Sequence, residues 1–365
     1  MLNIYIMDKI LTIIIPTYNM EKYLDKCLTS LIISDENMTL LEVLVINDGS
    51  KDNSSSIAHK YEKYYPNTFR VIDKENGNYG SCINRGLKEI TGKYVKVLDA
   101  DDYFDTQVFD EFISFLKKQN VDLVINDFSI VDEEAKRLEE YNFNLPASKS
   151  FTLSDFPKGI HEWIWHHAMT YSSSIFDKIQ YHQTENISYT DDEWVLLPMS
   201  MVKKVCYFPH DMYQYLRGRE GQTFDPKILL RSFDIRIKVA KAMVKGYEEL
   251  YERSSEEARK FMEHKLVQRL KPLYYFYLVK HNTPEGNRQI KEFDLYVKER
   301  STRIFSLCTC TSVNFVNWKF IRNWRNSSYK AHTVMLAALI LLEKFHKYTY
   351  NMSVPRMPKQ LKRQK

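Results

Sequence analysis

The sequence predicts an α/β fold with a mostly parallel central sheet and helices on both faces. Five runs of strand length, at 11–16, 42–48, 69–73, 94–99 and 121–127, are apolar almost throughout. The stretches between them repeat their apolar residues at helical spacing. Strands buried on both faces lack the alternation of a half-solvated sheet, which is the pattern of parallel strands covered by helices. Polar and glycine-bearing segments follow the strand ends: Pro16 to Asn19, Asp48 to Asp52, Asn76 to Gly80 and Asp99 to Asp102. Open sheets of this kind bind ligands at that edge.

Each element has its own signal. After the first strand, Met20, Tyr23, Leu24, Cys27, Leu28, Leu31 and Ile32 fall on one face of a helix. Asp52 or Asn53 can cap the helix after the second strand. Further helices are expected around 80–90 and near 105–118. Residues 128–220 lose the strict alternation and hold a charged stretch (132–140) and an aromatic and histidine cluster, "HEWIWHH" (161–167). Residues 192–203 and 227–300 read as helical, with a break at 284–287. A last helix at 331–348 has an apolar centre and is followed by a basic tail. The expected division is a sheet domain over 1–225, a helical region over 226–330, and an amphipathic helix with its tail over 331–365.

Composition narrows the function. The chain has 365 residues, longer than one domain of about 100–200 residues. Its 52 basic and 47 acidic side chains leave +5, too dispersed to suggest a nucleic-acid partner. Five cysteines are too few and too scattered for a disulfide framework, and Cys308 and Cys310 lack a second ligand pair for a metal. Reduced thiols in a cytoplasmic protein are expected. Asp8 and Lys9 interrupt the apolar N-terminus, which reads as a lead-in to a strand rather than a signal peptide. No apolar run reaches the 18 residues that suggest a membrane span.

The chemistry concentrates in "GKYVKVLDADDYF" (92–104). If the strand continues through them, Asp99 and Asp101 point to one face, about 7 Å apart. Together they suit a magnesium or manganese ion, which takes carboxylate oxygens plus substrate phosphates and relieves the mutual repulsion. Asp48 suits a base or ribose donor group, and Gly77 and Gly80 let backbone N–H groups approach a diphosphate or simply form a strand-to-helix turn. Arg219 is either a clamp for a diphosphate or anionic acceptor, or a surface charge beside a turn. His210 is a third metal ligand, a phosphate contact or a plain loop histidine. Trp163, Trp165, His166 and His167 either face an acceptor sugar or pack beneath a lid.

"TIIIPTYNMEKYLDKCLTSL", "VINDGSKDNS", "NGNYGSCINRGLKEITGKYVKVLDADD" and "ISYTDDEW" together resemble the family 2 inverting glycosyltransferases of the GT-A fold, over roughly residues 10–225. The resemblance implies transfer of a sugar from a UDP-sugar donor, with Mn2+ or Mg2+ as cofactor. It implies that Thr17, Tyr18 and Asp48, beside Pro16, hold the nucleobase. Asp99, next to Ala100, would take the ribose and metal side, and Asp101 the metal. The segment containing Gly77, Gly80, Asn84 and Arg85 would border the donor. The family's Glu-Asp pair is Thr190-Asp191 here, which makes Asp191 the general base although the Glu is missing. The Gln-x-x-Arg-Trp signature of processive synthases is absent. Arg217, Arg219 and Gln222 stand in its place, as in single-sugar transferases of bacterial surface polysaccharide assembly. The implied acceptor is a saccharide or a lipid-linked chain, and the basic C-terminus suits an anionic membrane surface. A sugar nucleotidyltransferase would carry a glycine-rich loop where this chain has "PTYNMEKY". A sugar-nucleotide-binding paralogue without catalysis is the remaining alternative.

Overall fold

The computed structural model describes residues 9–147, 149–219, 232–309, 311–313 and 316–330. In chain order the sheet domain contains β1 (Leu11–Thr17), α1 (Leu24–Thr29), α2 (Asp35–Met38), β2 (Leu41–Asn47), α3 (Ser54–Tyr64), β3 (Phe69–Asp73) and α4 (Asn78–Leu87). It continues through β4 (Tyr94–Val97), β5 (Tyr103–Phe104), α5 (Thr106–Leu116), β6 (Leu123–Val131), β7 (Arg137–Tyr141), β8 (Met169–Ser172), α6 (Ser174–Ile179), α7 (Asp191–Leu196) and β9 (Val205–Leu216). The five expected strands, and the helix expected after each of the first four, are present within a few residues of their predicted ends. Helix α5 starts at Asp105, whose side chain accepts the Val108 N–H at 3.1 Å. Helix α7 is shorter than expected because Pro198 supplies no N–H, and the chain tightens there into a 3-10 turn.

The nine-stranded sheet runs β3-β2-β1-β4-β8-β6-β9-β5, with β7 on the far side of β6. β3, β2, β1 and β4 are parallel. β8 then inserts antiparallel between β4 and β6, so the fifth predicted strand is not the neighbour of the fourth. β6 and β9 pair in parallel through a register shift opposite Pro209, where the missing N–H is tolerated. Lys96 crosses beneath this junction. Its ammonium is fully buried and donates to Asn126 Oδ1 (3.1 Å) and to the carbonyls of His167 (2.7 Å) and Met169 (3.2 Å). Burial pushes it well below the usual lysine range.

Beyond the sheet, α8 (Phe233–Leu250), α9 (Glu256–Tyr275), α10 (Pro284–Arg300), α11 (Thr302–Leu307) and α12 (Phe320–Asn326) form a helical region. Ser255 caps α9 by accepting from Ala258 N–H at 3.2 Å, and Thr283 caps α10 with Pro284 in its first turn. One continuous apolar cluster runs from Leu11 in β1 to Trp324 in α12, so these helices share a core with the sheet. Cys27, Cys82 and Cys206 are buried free thiols, and Cys308 is buried. No helix among the described residues is long and apolar enough to cross a membrane. Cys310, Gln222, the expected helix at 331–348 and the basic tail lie outside the described residues.

Candidate active site

The tips of β1, β2 and β4 and the β3–α4 turn make one floor. Thr17 is buried, its hydroxyl donates to the Ile15 carbonyl at 3.2 Å, and its own carbonyl accepts from Asp48 N–H at 2.8 Å. Tyr18, 46% exposed, presents its ring at the mouth, next to half-buried Pro16. Asp48 is buried and its Oδ1 accepts from Lys74 Nζ (2.5 Å) and Gly77 N–H (3.0 Å). Its carboxylate therefore orders the β3–α4 turn as well as facing the floor. A side chain at Gly77 would bring a Cβ within 2.6 Å of Ser81 Oγ.

The three neighbouring carboxylates have three different fates. β4 ends at Val97, and Asp102 N–H donates to the Asp99 carbonyl at 2.9 Å, so a turn replaces the continued strand that the spacing predicts. Asp102 is a structural group. It is buried and accepts from the Tyr213 hydroxyl (2.7 Å) and Leu216 N–H (2.8 Å), which ties the turn to β9. Burial, then the charges of Asp101 and Asp99, push its carboxyl well up. Asp101 pairs through Oδ2 with Arg219 Nε. Burial raises its carboxyl despite the guanidinium. Asp99, beside buried Ala100, meets His166 Nε2 at 3.1 Å through Oδ2, while its Oδ1 is buried with no hydrogen-bond partner.

Asp99, His166 and His167 form a cluster whose ligand atoms all lie within 4.8 Å of one another. Burial opposes the charge on His166, but Asp99 and then Asp191 outweigh it and hold the imidazole above its ordinary value. His167 is held well below by burial, His166, Lys96 and Arg217. It lies between the rings of Tyr213 (4.7 Å) and Tyr215 (4.5 Å). His210 stands elsewhere: it is exposed at the β9 bulge, its ring 4.6 Å from that of Phe208. The histidine that joins Asp99 is His166. Trp163 and Trp165 pack with Tyr141, and Trp165 also with Phe128, in an aromatic cluster.

Asp191 opens α7 across the floor from Asp99. Tyr189, at φ 65°, turns the chain into it, and Thr190 is held by Gln183 Nε2, which donates to its carbonyl (2.9 Å) and hydroxyl (3.0 Å). Gln183 is in turn fixed by Asn84, which accepts its N–H and donates to its carbonyl, both at 2.8 Å. Asn84 also donates to Glu185 Oε1 at 2.8 Å. At Gly80 a Cβ would lie 2.0 Å from the Thr184 carbonyl oxygen, so only glycine admits the loop. Gly80 and Asn84, expected at the donor border, are thus engaged with the 183–190 loop. Arg85, one residue on, turns away and pairs with Glu89 at 2.8 Å. Burial and the adjacent Asp192 raise the Asp191 carboxyl against the pull of His166 and Arg269. Asp192 pairs with Arg269 of α9 at 2.6 Å. Glu193 accepts from Thr184 N–H at 3.0 Å, and burial pushes it up to about 7.

The glycosyl transferase family 2 model matches residues 12–180. The uncharacterized glycosyltransferase RP339 of Rickettsia prowazekii is 30% identical over 224 residues, 60% of this chain and 67% of that protein. The chain belongs to glycosyltransferase family 2. Among other family relatives, the minor teichoic acid biosynthesis protein GgaB of Bacillus subtilis is 28% identical over 213 residues, 58% of this chain and 23% of that one. The chain spans between 23% and 79% of the length of the curated relatives it matches. The crystal structure of S. aureus TarS 1-349 in complex with UDP-GlcNAc superposes with a TM-score of 0.63 at 18% identity, covering 94% of this chain and 92% of that one. That likeness establishes the GT-A fold for this glycosyltransferase. Three features of its site escape sequence reasoning: the Asp99–His166 contact, the Asn84 tether and the Asp192–Arg269 pair.

Proposed function

We propose that the chain is an inverting, metal-assisted, non-processive transferase. It moves one sugar from a UDP-sugar to a saccharide or lipid-linked acceptor in cell-surface polysaccharide assembly. The observation that carries this reading is a pair of acidic centres, Asp99 at a strand tip and Asp191 at a helix start, with the His166 imidazole, raised by both, between them. TarS binds UDP-GlcNAc on the same fold, and GgaB is named for teichoic acid biosynthesis. Both support a UDP-sugar and a surface polymer.

In this reading the exposed Tyr18 ring stacks on the base, with Pro16, Thr17 and Asp48 at its edge. Asp99 and Ala100 face the ribose, and Arg219 lies beside Asp101 toward the diphosphate. Asp99 Oδ1 is buried without a partner beside an imidazole, and that donor set fits a divalent cation. Asp99, Asp101 and His166 would hold it, the imidazole favouring manganese over magnesium. When bound, such an ion offsets the charge that develops on the leaving diphosphate.

The acceptor hydroxyl attacks the anomeric carbon from the face opposite the diphosphate. The new carbon–oxygen bond forms as the bond to the diphosphate breaks, UDP departs, and the hydroxyl proton passes to Asp191. Its raised carboxyl is the better proton acceptor, while His166 and Arg269 oppose the rise. The basic residues Lys344, Lys347, Lys359, Lys362, Arg363 and Lys365 support attachment to the anionic inner face of a membrane. Measuring UDP release over a panel of sugar nucleotides and acceptors tests the reading. Tight UDP binding without turnover on any pair would leave a sugar-nucleotide-binding protein instead.

A further inference from the structure

Next to the base loop lies a partly open cavity of about 80 Å³, walled by Tyr189 and Asp192, by Phe233 and Arg236 of α8, and by Arg269 of α9. None of the strand-tip residues lines it, which separates it from the donor floor. Its polar groups are under-used. Arg236 donates Nε–H to Ser232 Oγ at 3.0 Å and lies over the Tyr189 ring at 4.4 Å, and no carboxylate among the described residues pairs with it. Arg269 gives one Nη to Asp192 at 2.6 Å, but its Nε is buried without a partner. The Tyr189 hydroxyl is also buried without a partner. Two guanidinium groups, Arg236 of α8 and Arg269 of α9, therefore line one space that holds a single carboxylate.

We propose that this cavity binds a phosphate group of the acceptor, so that the hydroxyl receiving the sugar belongs to a phosphate-bearing chain. The inference rests on Asp191 being the base, since the cavity begins at its neighbour Asp192. A tetrahedral phosphate uses donors arriving from several directions, whereas a planar carboxylate is satisfied by a single guanidinium fork. A volume of about 80 Å³ holds roughly five waters or more, at ~10–15 Å³ each, which is the bulk of one phosphate. The apolar wall, with Val239, Ala240 and Met243, suits the carbon of an ester rather than a second charge.

Calorimetric titration of the full chain with glycerol phosphate, glucuronate and UDP tests this. Glycerol phosphate should bind the unmutated protein and Asp101→Asn equally. Arg236→Gln, which keeps the stem over Tyr189, should weaken it by about 10–100-fold, the range for losing a charge-assisted contact. Arg236→Lys should weaken it less, and UDP should bind the unmutated, Gln and Lys proteins alike. Glycerol phosphate binding that survives Arg236→Gln overturns the proposal. So does altered affinity in Asp101→Asn, which would place the phosphate in the donor floor, or equal affinity for glucuronate. Failure of UDP to bind the unmutated protein would count instead against the donor reading, on the same samples.

Discussion

Asp191 and Asp192 are adjacent acids at one helix start, and their surroundings give them opposite roles. Asp192 is neutralised by Arg269 at 2.6 Å, while Asp191 keeps a raised carboxyl turned toward His166 and Asp99. Asp191→Asn should lower turnover by about 10²–10⁴-fold, the range for losing a general base, with UDP affinity retained in a binding titration. Asp192→Asn should cost about threefold or less in turnover. The reverse ranking would move the base one residue along the chain. The pH profile gives a second check at the same place. Asp191 works deprotonated, so activity falls as pH drops through its raised pKa, and the acid limb lies above the ordinary carboxylate range. The Asp192 charge is the main cause after burial, so Asp192→Asn should shift that limb to lower pH. A limb that stays put would mean that another group sets it. At the strand tip, EDTA and Asp99→Ala should each abolish transfer, with Mn2+ binding by electron paramagnetic resonance lost in the variant. Full activity in EDTA would remove the metal from the mechanism.

Helix α4 shows why element-level reading went far but not to the end. The first four parallel strands were legible because each is mainly apolar with no strict alternation, and the acids at their tips followed from topology alone. β7, β8 and β9 were not. β7 is a charged edge, β8 has four residues, and β9 carries Pro209, His210 and Asp211 at its bulge. On α4, Asn84 and Arg85 are consecutive and so lie about 100° apart around the axis, yet one expectation covered both. Asn84 faces the 183–185 loop and Arg85 faces Glu89. His166 was hidden for a different reason. It meets Asp99 because Lys96 holds the His167 carbonyl from across the sheet, a contact between residues 71 apart in sequence. The α4 jig predicts a distinctive pair of phenotypes. Gly80→Ala must displace the Thr184 carbonyl, and Asn84→Ala leaves buried groups of Gln183 unpaired, each costing about 1–3 kcal/mol of stability. Both should lower turnover more than donor affinity, because the displaced segment carries Asp191. Equal loss in both constants would tie α4 to the donor instead.

At the scale of the whole molecule, the helical region is docked on the sheet domain by a buried lysine as well as by the shared core. Lys265 of α9 is 1% exposed and donates to the carbonyls of His161 (2.8 Å) and Ile164 (2.9 Å), which lead directly to His166. Burial, with Arg269 adding to it, lowers the ammonium to about 7 against 10.5 for a free lysine, although Asp192, Glu162 and Asp191 resist. In the unfolded chain Lys265 keeps its proton up to the ordinary lysine range, whereas in the folded chain it releases it near 7. Between these limits the unfolded state binds more protons, so this residue makes stability rise with pH. Below about 7 both states are protonated and the penalty is constant. The raised thiols of Cys27, Cys82 and Cys206 act in the opposite sense as free cysteine ionises at about 8.5, and the raised tyrosines as free tyrosine ionises at about 10, which leaves about pH 7 to 8 as the window. Lys265→Met should be less stable at every pH, because two buried carbonyls lose their donor, but should lack this lysine's share of the rise. Urea unfolding of both proteins at intervals across the window measures the difference. Parallel stability curves would show that Lys265 stays charged in the folded state, and that the dock between helices and sheet is an ionic one.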